Sequence, residues 1–255
     1  DVTFQELENE LVLYVTNSNP ISNNYAEQAH LKDATISIPD TLNGVYQGPE
    51  SDRDTLKYYD FQGYQVYQVK TANVSVTQLN DLSVARLIAQ VDKEDGIGQI
   101  VNYEFDKTIG ANVPKEMVAG ENKGIRHSFR ITDDAFATGT DKKLVNHKTY
   151  HFIVMAYAHN DWMTVDPQNF SLGGQLKPYL ASRTNSTGSG IKAFSAIPHD
   201  PSIEDNGTIV NSNYGDQPEI TRIEGQGNGG YSLELTQSSE AQIVSNTLND
   251  YPVYQ

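Results

Sequence analysis

The chain has 255 residues, no cysteine, and 18 Lys plus Arg against 33 Asp plus Glu, a formal net charge of −15. That balance sets any nucleic acid backbone against electrostatic repulsion, and the missing thiols exclude a disulfide framework, a thiolate metal site and a Cys nucleophile. No run approaches the roughly 18 consecutive apolar residues of a membrane span, so no direct membrane insertion is expected, while a 37% hydrophobic fraction permits a proper core.

Fifteen tyrosines, three methionines and abundant Asn, Thr, Ser and Gly favour strands and turns over helices, so an all-β chain is expected. The opening residues 1–6 lack a basic start or apolar signal region, as in a mature protein or an excised internal piece. Residues 10–16 (ELVLYVT) set Leu11, Leu13 and Val15 opposite Val12 and Tyr14, which predicts an early core strand. Residues 17–25 carry turn chemistry, 34–39 a short strand before the Asn43-Gly44 turn, and 40–58 an exposed loop. Residues 59–69 (YDFQGYQVYQV) predict a second core strand, with Gly63 where a bulge or close backbone approach is expected. The apolar runs 84–91 and 97–105 flank Asp92-Lys-Glu-Asp-Gly96, which reads as a hairpin turn, although 79–91 also suits a short helix. Residues 107–124 carry four glycines or prolines with little periodicity, which reads as an inserted loop returning to a strand at 125–132.

Residues 144–158 (LVNHKTYHFIVMAYA) alternate strictly and organise the rest. Tyr150, Phe152, Val154 and Ala156 fall on one face, and His151, Ile153, Met155 and Tyr157 on the other. An aromatic opening such a strand, a few residues after a Leu and a polar turn, is the pattern of a tyrosine corner. Its hydroxyl should fold back toward the backbone near Leu144. Residues 160–190 read as a long irregular excursion, 191–197 as a last strand before Pro198 and Pro201, and 219–224 with 231–236 as a hairpin across the Gly-rich 225–230. The expected architecture is an antiparallel β-sandwich over 1–198, a linker at 199–213 with Pro and polar composition, and a β-hairpin segment at 214–255 that begins a following module.

Four histidines, His127, His147, His151 and His159, raise a metal reading, but the four residues from His147 to His151 span about 13 Å along a strand, too far for two ligands of one ion unless His147 lies in the turn. Asp92, Glu94 and Asp95 before Gly96, and the acidic run 200–207 with its Asn206, are candidate calcium loops, although neither reproduces the spaced Asp-x-Asp-x-Asp-Gly pattern ending in Glu. Gly225, Gly227 and Gly229 lead into a strand, not a helix, so they lack the helix N-terminus that phosphate binding uses. Trp162, with Tyr157 and Phe170 nearby in sequence, is a candidate ligand platform or interface anchor, against the plainer role of capping the core. No catalytic constellation stands out, and a noncatalytic chain is expected.

Residues 61–67 (FQGYQVY), 144–158 and 191–198 together resemble the third, sixth and last strands of a fibronectin type III module, with long insertions at roughly 17–58, 92–124 and 160–190. Residues 61–68, 145–152, 175–181 and 219–230 also resemble large surface or secreted proteins of Bacteroidota that carry a type IX secretion sorting domain. The resemblance implies an internal, noncatalytic, structural or adhesive piece located outside the cell, whose partners are other domains of its parent or cell-surface proteins. The alternative is a carbohydrate-binding module with Tyr157, Trp162 and an acidic, calcium-loaded loop as its glycan site.

Overall fold

The computed structural model describes residues 1–36, 38, 53–160, 162–170, 173–201, 220–224 and 232–245. It divides into two compact units, Asp1–His199 and Asp200–Gln255.

In the first unit two antiparallel sheets face each other. One holds β1 (Val2–Leu7), β2 (Glu10–Val15) and β8 (Ser128–Ile131), in the order β1-β2-β8. The other is built on two long strands, β4 (Tyr58–Val69) and β9 (Tyr150–His159), paired antiparallel along nearly their whole length. Each long strand carries two others on its outer edge. β3 (His30–Lys32) and β5 (Ala85–Asp92) lie on β4, and β10 (Tyr179–Ala181) and β11 (Phe194–Ala196) on β9.

Alternation decides which side chains meet. Leu11, Leu13 and Val15 of β2, with Phe129 and Ile131 of β8, bury against Phe61, Tyr64, Val66, Tyr150, Phe152 and Val154, and this is the sandwich core. The opposite face of β9 is buried as well, as expected of a strand with no wholly polar side. Ile153 and Met155 pack with Val69, Val74, Leu79 and Ala85 under the segment after β4, and Tyr157 packs with Tyr179, Ile100 and Val118.

That second packing layer corrects the reading of residues 92–124. Asp92 to Gly96 does not join a hairpin, because β5 pairs with β4, while β6 (Gln99–Asp106) pairs with β7 (Ala111–Ala119). The segment read as an inserted loop is therefore one arm of a hairpin laid over the outer face. Its strand character went unread because Gly110 sits in the turn, at φ 70°, and Pro114 lies inside β7, a strand with a single buried residue, Val118. Residues 85–92 are strand, not helix. Residues 34–36 form a turn where a strand was expected, with 37 and 39–52 outside the described residues, and β1, β3 and β10 were unread elements.

Two local features fix the central strands. The Val145 N–H donates to Tyr150 Oη at 2.9 Å, the hydroxyl bond expected of the corner, with Leu144 buried beside it. At Gly63 the β4/β9 register shifts, and a Cβ there would lie 2.1 Å from the Val91 carbonyl oxygen and 2.7 Å from Tyr157 Oη. Only glycine fits that crossing.

In the second unit β12 (Ile220–Glu224) and β13 (Ser232–Leu235) pair antiparallel, as read from the sequence, with the Gly-rich 225–230 outside the described residues. An unread helix α1 (Gln237–Val244) follows, opened by Thr236, whose side chain accepts from the Ser239 N–H.

Candidate functional site

A concavity of the first unit lies at the outer edge of β9, between the two sheets. Two cavities of about 340 and 390 Å³ share Asn23, Asn24, Ala156, Ser182 and Thr184 and form one cleft. Its floor is apolar, from Phe61, Val154, Ala156 and Leu180, and its rim is mostly amide and hydroxyl side chains, including Asn17, Ser22, Asn185 and Ser189.

The turn between β2 and β3 builds one wall. Ala26 and Glu27 take φ of 51° and 62°, a left-handed pair without glycine, and the Ala26 N–H donates to the Asn17 carbonyl at 2.9 Å. This conformation turns the Glu27 carboxylate onto Tyr64 and His127. Tyr64 Oη donates to Glu27 Oε1 at 2.8 Å, His127 Nε2 lies 2.5 Å from the same oxygen, and Asn17 Nδ2 donates to Tyr64 Oη. Burial, then the adjoining carboxylate, pushes the Tyr64 phenol far above its ordinary value, so it stays a neutral donor. Asn24 is 8% exposed, with Oδ1 accepting from Ala29 N–H and Nδ2 without an acceptor among the described residues.

The residues singled out by sequence do not assemble here. Tyr157 is buried, its ring 5.6 Å from that of Tyr179 and its hydroxyl donating to the Val91 carbonyl at 3.3 Å. Trp162 is half-buried and its Nε1 has no acceptor among the described residues, and no ring contact among them joins it to Tyr157. Asp92 is buried and accepts from Asn122 N–H at 3.0 and 3.2 Å. Burial, outweighing that bond, raises its carboxyl above the ordinary value. Asp95 accepts from Gln62 Nε2 and from Ile97 N–H, and Glu94 is exposed. These carboxylates clasp the β5–β6 connection through N–H donors, and among the described residues no group of three or more His, Asp or Glu is placed to hold an ion.

The histidines are scattered: His127 meets Glu27, His151 Nδ1 lies 2.8 Å from Ser195 Oγ, and exposed His147 sits at φ 64° with its N–H donating to the Pro198 carbonyl. The run after Asp200 lies outside the described residues from 202 on. Sequence reading missed the cleft because its walls come from residues 17–29 and 182–194, two stretches without periodicity. Their high Asn, Ser and Thr content was the available signal. No protein family, curated protein or solved structure matches this chain.

Proposed function

We propose that the chain is a noncatalytic structural or adhesive module, fibronectin type III-like, from a larger secreted or surface-exposed bacterial protein, exported by the type IX route of the Bacteroidota proteins it resembles. One observation supports the noncatalytic reading: the buried polar side chains on and beside the long strands are engaged in holding the sandwich together, with Asn24 Nδ2 at the cleft the exception. Gln65 donates to Gln90 and to the Met117 carbonyl and accepts from Tyr179 Oη, and Gln68 links to Asp134 and to Ala135 N–H. Asn102 accepts from Tyr179 N–H, and Asn160 donates to the Leu56 and Tyr58 carbonyls. A catalytic centre instead presents such groups, unpaired and shifted in pKa, to an open pocket. Support for the module type comes from the strand order, β1-β2-β8 against the β4–β9 pair with its flanking strands, and from the Tyr150 corner.

Chromogenic ester, glycoside, phosphate and peptide substrates incubated with the pure chain should give no turnover, and beads coated with it should bind bacterial or host surface extracts. Turnover that co-purifies with the chain would overturn the noncatalytic reading, and inert beads the adhesive one. The rival carbohydrate-binding module draws on the amide and hydroxyl rim of the cleft, and a glycan array with and without chelator reads it separately.

A further inference from the structure

The two long strands have matching breaks along their outer edges, and only one of them is closed. On β4 the pairing passes from β3, which ends at Asp60, to β5, which begins at Gly63. Phe61 N–H donates across that break to the Ala29 carbonyl, and Lys93 N–H donates to the Gln62 carbonyl. On β9, β11 pairs up to Phe152 and β10 begins at Tyr157, so among the described residues no strand pairs with 153–156, about 13 Å of β9, on the edge away from β4.

Alternation gives the direction of the open groups. The Ala156 carbonyl accepts from Ser182 N–H, and Asn160 N–H donates to the Pro178 carbonyl, so the even residues of β9 point their peptide groups away from β4. Val154 has the same parity as Ala156, and the β4/β9 register runs unbroken between them, the shift at Phe61/Gly63 falling opposite Tyr157 and Ala158. Its N–H and C=O, and the Ala156 N–H, have no partner among the described residues. Both residues line the cleft, which therefore reaches this stretch of β9. The connection from Ser182 to β11 leaves the edge there, closing on itself through the Thr184–Gly190 bridge and the Asn185 side chain.

We infer that the cleft is a strand-addition slot, in which an extended peptide of a partner protein bonds to Val154 and Ala156 and completes the edge of β9. The mode is β-augmentation confined to one short window, with small side chains seated over the alanine floor. Charge selects the peptide: Arg183 and Lys192, both exposed on the connection that walls the cleft, have no ion-pair partner among the described residues of a chain with net charge −15. The occupant is therefore an extended segment with small central residues and acidic flanks. This inference rests on the adhesive reading and supplies its partner class.

The probe is an array of acetylated and amidated heptapeptides with Glu at both ends and Ala, Thr, Val or Ser between, measured against the full chain by fluorescence polarisation. A subset should bind. N-methylation of alternate central residues should abolish binding, lysine flanks should weaken it, and the exposed pair Arg183→Glu with Lys192→Glu should weaken it about tenfold. Hydrogen exchange at the Val154 and Ala156 amides should be faster than at Met155 in the free chain and slow with bound peptide. No binding peptide, binding indifferent to N-methylation or to flank charge, or Val154 and Ala156 amides as protected as that of Met155 would each overturn the slot. Coated beads that still adhere while no peptide binds would sink the slot alone and leave the adhesive reading standing.

Discussion

At Tyr150 the ring and the hydroxyl do separate jobs. The ring is buried in the sandwich core with the Lys148 ammonium 4.8 Å above it, and the hydroxyl accepts from Val145 N–H. Tyr150→Phe keeps the first and removes the second, so chemical denaturation should read a loss of about 1 kcal/mol, and equal stability would remove the corner bond from this account. Gly63→Ala should be harsher, about 1–3 kcal/mol or more. The added Cβ would meet the Val91 carbonyl, a backbone atom held in the β4/β5 ladder, so relief requires moving a strand.

Asp134 gives a pH-dependent reading at the same scale. Burial pushes its carboxyl up, but the Lys148 ammonium at 2.7 Å, Phe136 N–H and the Gln68 amide outweigh burial and hold it below the ordinary 3.8. A depressed acid stabilises the fold above its unfolded value, and that contribution is lost as pH falls through the lower folded value. Asp134→Asn should therefore melt below the parent at pH 7, and the gap should narrow as pH drops below about 4. A gap of constant size down to pH 2 would show that the carboxylate charge contributes nothing.

Among the elements, those with strict alternation or dense aromatic and β-branched content were legible: β2, β4, β8, β9, β11 and the β12–β13 hairpin. In β4 and β9 both faces are largely buried, so aromatic and β-branched content marks the strand and alternation assigns its two faces. β3 and β10, three residues each, exist because a long neighbour offers an edge, and nothing in their own pattern requires a strand. The same reason hid the cleft, whose walls are polar turns shaped by distant strands and whose open peptide groups carry no side-chain signature. Tyr157, placed by alternation on the second face of β9 and offered as part of a ligand platform with Trp162, is instead buried under the β6–β7 hairpin. Ile100, on β6, packs with Tyr157, Tyr179 and Val118 and is 1% exposed. Ile100→Ala should cost about 2–4 kcal/mol, and a shift near zero would show that the hairpin is an ornament and not a packing layer.

For the whole molecule, the decisive question is where the first unit ends. Every residue of the three hydrophobic clusters lies at or before Ala196, which is itself buried in the main core beside Tyr150. The chain just beyond is still tied in: Ile197 N–H donates to Glu6 Oε1 and His199 N–H to the Leu7 carbonyl, which fastens the last stretch to β1. The break in compactness falls at the next residue, Asp200. A chain of residues 1–199 should therefore melt in one cooperative transition within about 2 °C of the full chain, because it keeps all three hydrophobic clusters and the ties of Ile197 and His199 to β1. A chain of residues 1–193 should melt far lower, since it discards β11, the Phe194–Phe152 pairing and the buried Ala196, and leaves a second stretch of β9 edge unpaired. If the 1–199 chain instead loses its cooperative transition, residues 200–255 belong to the fold of the sandwich and the division at His199 is wrong.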